Sequence, residues 1–165
     1  MTEVPRIYLD TNAFIFAVEE QSERSDLLTR LFSVSEETDR VIFVTSELTL
    51  AEALVKPYRN LDDDLITRYD NMIRDSAWLD VQVVARPVLW YAGVLRSQSR
   101  IKLPDAIHLS TALGSNCTHF LTADKALSTI DGLRHTRFGM SKMRSIEMLP
   151  VDVPTLTTIL QSLAS

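Results

Sequence analysis

Cysteine and glycine are scarce in this sequence, and long apolar runs are missing. One cysteine, Cys117, among 165 residues excludes an intrachain disulfide, and four glycines leave little room for a flexible hinge. No apolar run approaches the roughly 20 residues that a membrane-spanning helix needs. The N-terminus, MTEVPRIYLD, lacks the basic-then-apolar pattern of a secretory signal. We therefore expect a cytoplasmic protein without a membrane partner, in which Cys117 is a small buried residue.

Positive charge is also in deficit. The chain has 17 Lys and Arg against 22 Asp and Glu, a formal net charge of −5. This balance argues against a protein that simply coats nucleic acid, since such proteins are usually basic. It does not exclude a nuclease whose acidic residues hold a metal ion. A hydrophobic fraction of 45% and a charged fraction of 24% are ordinary for a globular protein, and we expect a single domain over residues 1–165.

Short apolar runs alternate with longer segments of helical spacing. The runs predict strands at Ile7–Leu9, Val41–Val44, Val81–Val84, Thr118–Leu121 and Ile146–Leu149. The segments between them predict helices over roughly 12–33, 47–58, 61–76, 87–100, 104–115 and 154–163. This alternation predicts an α/β fold whose mostly parallel sheet is covered by helices on both faces. In such sheets, ligands bind at the carboxyl ends of the strands.

Two acidic residues directly follow predicted strands. Asp10 ends the first apolar run in IYLDTNAFIF, and Asp124 stands just beyond the fourth in FLTADKAL. Each has an ordinary structural explanation: Asp10 as the N-cap of a helix, and Asp124 as a charge near a helix N-terminus that Thr122 caps. Because the carboxyl ends of parallel strands meet at one edge of a sheet, both residues are also placed for a shared site.

Two further acidic residues are predicted on the inner faces of helices. In TLAEAL, Glu52 is expected beside an apolar stripe, where an uncompensated charge is costly. That stripe is predicted at Leu48, Ala51 and Val55. In LPDAIHLSTA, Asp105 shares the packed face with Leu109 and Ala112, whereas His108 is expected off that face at the surface. A boundary position for Glu52 and a favourable helix-dipole contact for Asp105 are the ordinary alternatives.

Asp10, Glu52, Asp105 and Asp124 are together predicted to converge on one rim of the sheet. Neighbouring carboxylates repel one another and resist ionisation. Mg²⁺ or Mn²⁺ relieves this repulsion, because these cations prefer oxygen ligands and are often held by few carboxylates and several waters. Such a site can activate a water for in-line attack on a phosphodiester.

In their order and context, these motifs resemble a PIN domain. The matching stretches are DTN at 10–12, TLAEAL around Glu52, LPDAIHLSTA at 103–112 and FLTADKAL at 120–127. The sequence looks most like the VapC-type ribonuclease toxins of toxin–antitoxin modules, over about residues 6–150. The resemblance implies a three-layer α/β/α fold with a parallel sheet of four or five strands. It also implies Mg²⁺- or Mn²⁺-dependent cleavage of RNA by a homodimer that a cognate antitoxin inhibits.

The resemblance also implies roles for single residues. The acidic quartet of the family, which binds metal and is catalytic, is matched by Asp10, Glu52, Asp105 and Asp124. Of these, Asp10 and Asp105 would be the firmest metal ligands, and the other two would bind metal directly or through water. The small polar positions that orient the quartet are matched by Thr11, Asn12 and Thr122. The stretch 131–149 departs from the family pattern, since it is longer than expected before the last strand.

Basic residues flank two of the proposed ligands. Arg96, Arg100 and Lys102 precede Asp105, and no acidic residue lies among them. Arg134, Arg137, Lys142 and Arg144 follow Asp124 in the same way. We interpret both groups as contacts for RNA phosphates. The alternative is a solvated surface, or a contact with an acidic antitoxin tail.

Three other functions share part of this pattern. A haloacid-dehalogenase-like phosphatase also has an Asp after an apolar strand, but its general acid is a second Asp two residues later, where this chain has Asn12. A non-catalytic binding module could share the fold, although an intact acidic quartet argues against it. A PIN-fold nuclease in RNA processing, without a toxin role, is not distinguished by the sequence.

Overall fold

A central sheet of five parallel strands organises the computed structural model, which describes residues 5–37, 41–127, 134–135, 141–142 and 145–164. In chain order the strands are β1 (Ile7–Leu9), β2 (Phe43–Ser46), β3 (Leu79–Gln82), β4 (His119–Thr122), β5 (Arg134–His135), β6 (Ser141–Lys142) and β7 (Glu147–Pro150). The sheet has the order β3-β2-β1-β4-β7, and all its neighbouring strands are parallel. The predicted α/β fold with a parallel sheet is confirmed.

Eight helices connect and cover the strands in the described part of the chain. They are α1 (Thr11–Glu19), α2 (Glu23–Glu37), α3 (Glu47–Ala53), α4 (Val55–Arg59), α5 (Asp63–Met72), α6 (Arg86–Gln98), α7 (Leu103–Gly114) and α8 (Val153–Leu163). The helical segment predicted over 12–33 is divided, because the backbone of Glu20 is extended at the end of α1. None of these helices is both long enough and apolar enough to cross a membrane.

The two faces of the sheet pack against different helices. In β1, Ile7 and Leu9 belong to the hydrophobic cluster that includes Phe14 of α1 and residues of α2 and α8. Tyr8 points the opposite way and belongs to the cluster that includes Leu109 of α7. This alternation is the period-two pattern of a strand buried on both faces. Cys117 lies in the second cluster and is fully buried, as predicted.

The strand order places a crevice between the carboxyl ends of β1 and β4. From β1 the chain proceeds to β2 on one side and later to β4 on the other, so the direction of winding reverses there. Ligands of open α/β sheets bind in this kind of crevice. Asp10 and Thr122 lie at the two strand ends that border it.

The long segment at 131–149 contains an element that the sequence did not predict. Strands β5 and β6 pair in an antiparallel ribbon of two strands, separate from the main sheet. Most of the remaining segment before residue 145 lies outside the described residues.

Candidate active site

Asp10 is fixed between the two central strands at the head of the crevice. It is the N-cap of α1, and its Oδ1 accepts a hydrogen bond of 2.8 Å from the backbone N–H of Thr11. Its Oδ2 accepts a hydrogen bond of 2.6 Å from the hydroxyl of Thr122. The N-cap role of Asp10 is shown, and it is compatible with metal binding, because the cap bond uses one lone pair of a carboxylate that has several.

Thr122 links Asp10 to Asp124. While its hydroxyl donates to Asp10, its Oγ1 also accepts a hydrogen bond of 3.0 Å from the backbone N–H of Asp124. The Oδ1 of Asp124 accepts a further bond of 2.8 Å from the backbone N–H of Ala126. The turn after β4 is thus held by hydrogen bonds on both sides of Asp124, which stays partly exposed.

Glu52 reaches the same rim from α3. Its Oε2 accepts hydrogen bonds from the hydroxyl of Thr11 and, at 2.8 Å, from Nε2 of His108. Burial opposes ionisation of this carboxyl, but the hydrogen bonds from His108 and Thr11 and the nearby imidazole outweigh it and lower the pKa of Glu52. Glu52 is therefore an oriented carboxylate at neutral pH.

The prediction of an apolar stripe beside Glu52 is wrong. Ala51 is exposed and Val55 is 46% exposed, whereas Thr49 and Ala53 are buried. The inner face of α3 is partly polar, because the Thr49 hydroxyl lies 2.8 Å from that of Thr45 in β2. Polar contacts therefore hold Glu52 at the rim in place of an apolar stripe.

The surface position predicted for His108 is also wrong. The residue is 1% exposed, with Nδ1 2.7 Å from the hydroxyl of Tyr8 and Nε2 2.8 Å from Oε2 of Glu52. Positions i and i+3 of a helix share a side, so His108 follows Asp105 on the side of α7 that faces the strands. The sequence motif itself therefore held the signal, one turn after Asp105, and sequence reasoning missed it.

The charges of the other three carboxylates act on the carboxyl group of Asp105. Burial is the main cause that raises the pKa of its carboxyl above the ordinary value, and the charges of Asp124 and Asp10 raise that pKa further. The charge of Glu52 acts in the same direction, while His108 opposes it. The structure therefore brings all four predicted acidic residues close enough for their charges to interact.

The chemistry of these groups fits a hard divalent cation. Oxygen atoms of carboxylates are the donors that Mg²⁺ and Mn²⁺ prefer, and added positive charge would relieve the repulsion at Asp105. As placed, no three His, Cys, Asp or Glu side chains of the described residues form a closed ligand cluster. Mg²⁺ is usually bound through one or two carboxylates and keeps several waters, so a closed cluster is not required.

Three small polar residues were predicted to orient the quartet. Thr11 contacts both Asp10 and Glu52, and Thr122 contacts Asp10. The side chain of Asn12 makes no hydrogen bond to a residue that the structure describes. The assigned roles of all three, like those of the quartet, stay predictions.

The structure describes the basic group before Asp105 in full and the group after Asp124 only in part. Arg96, Arg100 and Lys102 are exposed on the end of α6 and the loop that leads into Asp105 on α7. Arg137 and the side chain of Arg134 lie outside the described residues. Contact of either group with RNA stays a prediction.

A large cavity elsewhere in the molecule is a poor alternative site for a nucleic acid. It has a volume of about 980 Å³, and none of the four rim carboxylates lines it. Its acidic lining residues are Glu19, Glu20, Glu23, Asp26, Asp62 and Asp64. Its basic lining residues are Lys56, which is paired with Glu19, and Arg68, which donates to the backbone carbonyl of Val18, so acidic residues predominate. This surface would repel phosphate, whereas a bound cation would make the rim attractive to it.

Comparison with solved structures shows a shared fold. VapBC2 from Rickettsia felis, bound to a DNA fragment from its promoter, aligns with a TM-score of 0.62 and 13% identity over 87% of this chain and 97% of that one. DNA-bound VapBC from Salmonella typhimurium aligns with a TM-score of 0.56 and 16% identity over 90% and 99% of the two chains. Mycobacterium tuberculosis VapC20, described as a sarcin-ricin loop cleaving toxin, aligns with a TM-score of 0.54 and 16% identity over 69% and 86%.

Family membership rests on a direct sequence match. None of the curated proteins compared with the chain matches it. The model of the PIN domain matches residues 7–133, a range that includes β1, the crevice and all four acidic residues. The chain therefore belongs to the PIN domain family.

Proposed function

We propose that this protein is a metal-dependent endoribonuclease and the toxin of a type II toxin–antitoxin module. The observation that carries the proposal is the meeting of Asp10 and Glu52 at the carboxyl end of β1, where Thr11 contacts both carboxylates and Thr122 donates to Asp10. Burial and the charges of Asp124, Asp10 and Glu52 also raise the pKa of Asp105 at this site. Carboxylates that lie close together in a crevice repel one another, and this repulsion is unfavourable unless a ligand of opposite charge binds them. Mg²⁺ or Mn²⁺ is the cofactor whose chemistry suits them.

The proposed roles follow from how each carboxylate is held. Asp10 has the most restrained position and is, with Asp105, a direct metal ligand. Glu52 and Asp124 bind the ion directly or through its waters. When bound, the ion would neutralise charge on the scissile phosphate and favour ionisation of an attacking water. Thr11 and Thr122 keep the carboxylate oxygens oriented, and we assign the same kind of role to Asn12.

The RNA backbone is proposed to approach over the basic residues beside α7. Arg96, Arg100 and Lys102 are exposed immediately before Asp105, so phosphates bound there would lie near the acidic rim. Arg134 and Arg137 are proposed as a second group of contacts. Such phosphate contacts position the RNA but do not recognise its base sequence. The choice of target would therefore depend on other surfaces of the protein.

The toxin role is supported by the structural neighbours. Two of them are VapBC proteins bound to DNA, a third is a toxin that cleaves the sarcin-ricin loop, and a fourth is a toxin–antitoxin complex from Klebsiella pneumoniae. By this likeness we propose a cognate antitoxin as partner and a homodimer as the assembly. A PIN-fold nuclease of RNA processing and a non-catalytic PIN-fold module are the alternatives.

RNA cleavage by the purified protein tests the proposal. Total cellular RNA would be incubated with protein and Mg²⁺, Mn²⁺ or EDTA, alongside Asp10→Asn and Asp105→Asn. Glu47→Gln is the matched control, because Glu47 is an exposed acid in the first turn of α3 and no cause of the raised pKa at Asp105. We expect cleavage that needs metal, is lost in both Asn variants and persists in the control.

Two other outcomes separate the alternatives. Metal-dependent cleavage without growth arrest on expression in a host free of antitoxin would favour RNA processing over the toxin role. No cleavage by a folded protein that binds Mn²⁺ in calorimetry would favour the non-catalytic module. Cleavage that persists in EDTA or in both Asn variants would contradict the proposed mechanism.

A further inference from the structure

His108 lies behind the acidic rim, and hydrogen bonds at both ring nitrogens fix its imidazole ring. The residue is 1% exposed, and each ring nitrogen has one hydrogen-bond partner: the hydroxyl of Tyr8 at 2.7 Å from Nδ1 and Oε2 of Glu52 at 2.8 Å from Nε2. Because an ionised carboxylate can only accept hydrogen bonds, Nε2 must carry a hydrogen. The ring therefore donates to Glu52, whatever the state of Nδ1.

Tyr8 fixes the ring from the other side. Tyr8 is fully buried, and its hydroxyl lies 2.7 Å from Nδ1 of His108. A tyrosine hydroxyl can both donate and accept, and since Nε2 carries a hydrogen toward Glu52, the hydroxyl of Tyr8 can donate to Nδ1 and hold the ring in this orientation. Thr45 and Thr49 lie beside the same hydroxyl. The row Tyr8–His108–Glu52 thus runs from the buried face of β1 to the rim.

Glu52 is the exposed end of this row. Its side chain is 34% exposed, against 2% for that of His108, so one carboxylate oxygen is held from behind while the group still faces the crevice. Nε2 also lies 4.0 Å from Oδ1 of Asp10, so the imidazole stands between two of the four acidic residues. A glutamate has three rotatable side-chain bonds, and a fixed donor is needed to keep it in one orientation.

We propose that His108, held by Tyr8, is a positioning residue that fixes Glu52 for binding of a divalent cation. This inference rests on the proposed metal site and goes beyond the acidic quartet and its small polar neighbours. A buried histidine can serve packing alone, and the two roles differ in what they predict. A packing role affects stability regardless of Glu52, whereas a positioning role affects metal affinity only while Glu52 is a carboxylate.

A pair of amide substitutions isolates the bond to Glu52. In His108→Gln the side-chain amide reaches the position of Nε2 and can still donate to Glu52. In His108→Asn the amide reaches only the position of Nδ1, so it can bond to Tyr8 but leaves Glu52 without this donor. Both substitutions put a polar amide at the same buried site, which makes each the control of the other.

The affinity for Mn²⁺, measured by titration calorimetry without RNA, is the readout. We expect His108→Asn to weaken binding about tenfold and His108→Gln by less than about threefold, the size typical of groups that orient metal ligands. In a Glu52→Gln background, neither substitution should change affinity by more than about twofold, because the bond they affect no longer orients a ligand. Thermal unfolding of each variant checks that it is folded.

The outcomes distinguish this inference from the proposed function. Equal affinity in His108→Asn and wild type, or the same loss in the Glu52→Gln background, would overturn the role of His108 even if the wild type cuts RNA. A wild type that binds Mn²⁺ but cuts no RNA would overturn only the proposed function. A wild type that binds no Mn²⁺ would overturn both.

A second variant is available if His108→Asn does not fold. Tyr8→Phe removes one oxygen atom and leaves the imidazole free to rotate or to carry its hydrogen on Nδ1. We expect about threefold weaker Mn²⁺ binding in the wild-type background and no change with Glu52→Gln. Unchanged affinity in the wild-type background would overturn the proposal.

Discussion

The hydroxyl of Thr122 donates a hydrogen bond of 2.6 Å to Asp10, a residue 112 positions earlier in the chain. The bond joins the carboxyl ends of β4 and β1 across the crevice, and it leaves Oδ1 of Asp10 to the backbone N–H of Thr11. Each carboxylate oxygen of Asp10 thus has its own hydrogen-bond donor. The orientation of this carboxylate is set by the sheet itself.

Replacement of Thr122 by Val should therefore affect both stability and metal binding. Thr122→Val keeps the shape but leaves Oδ2 of the buried Asp10 carboxylate without its donor, and a lost hydrogen bond to a charged group costs about 1.5–3 kcal/mol. We expect a lower midpoint of urea unfolding and Mn²⁺ binding weakened about tenfold. Thr122→Ser, which keeps the hydroxyl, should bind Mn²⁺ nearly as wild type. Equal Mn²⁺ affinity in the Val and Ser variants would contradict the role of this bond.

The raised pKa of Asp105 gives a second prediction, on thermal stability without metal. A carboxyl whose pKa is higher in the folded state binds more protons there than in the unfolded chain, so its contribution to stability falls as the pH rises through that interval. Asp105→Asn should therefore raise the melting temperature of the metal-free protein at pH 7, by about 1–2 °C after allowance for solvent screening.

The pH and metal dependence provide the controls for Asp105→Asn. The gain in melting temperature should shrink as the pH falls through the raised pKa of Asp105, because the wild-type carboxyl is itself protonated below that pKa. With saturating Mn²⁺ the order should reverse, because only the wild type gains binding energy from this ligand. A variant less stable than wild type in EDTA at pH 7 would show that the carboxylates do not repel one another as described.

The strands and two of the acidic positions follow from local patterns in the sequence. Apolar runs of strand length that end on Asp10, or shortly before Asp124, indicate the sheet edge directly. The positions of the Glu52 and His108 side chains, in contrast, are set by contacts with distant residues, which local patterns do not show. The inner face of α3 is set by the pair of Thr45 and Thr49, and the burial of His108 is set by Tyr8 on another element. A polar face that is satisfied by distant partners carries no hydrophobic signal in one sequence.

Another such distant contact, between Tyr69 and Glu19, gives a third prediction. The Tyr69 hydroxyl in α5 donates a hydrogen bond of 2.6 Å to Glu19 at the end of α1. Tyr69→Phe should destabilise the protein by about 2 kcal/mol, or about 4–8 °C in melting temperature, because Tyr69 is fully buried. Tyr58→Phe is the matched control, since Tyr58 is 61% exposed. Neither change should alter Mn²⁺ affinity, and a loss of affinity in Tyr69→Phe would connect α5 to the site.

The basic residues before Asp105 give a prediction about the salt dependence of RNA binding. In an Asp10→Asn background that does not cut RNA, the triple replacement of Arg96, Arg100 and Lys102 by Gln should weaken binding. It should also reduce the slope of log affinity against log salt by about 2, since each phosphate contact to a single strand contributes about 0.7. The control triple replaces three other exposed arginines with the same change in charge, at Arg30, Arg59 and Arg74. If RNA crosses the surface beside α7, the control triple should keep the salt-dependence slope of the Asp10→Asn parent. Equal reductions in the two triples would mean that RNA responds only to net charge, and an unchanged slope in the first would leave the segment with Arg134 and Arg137 as the remaining proposed contact.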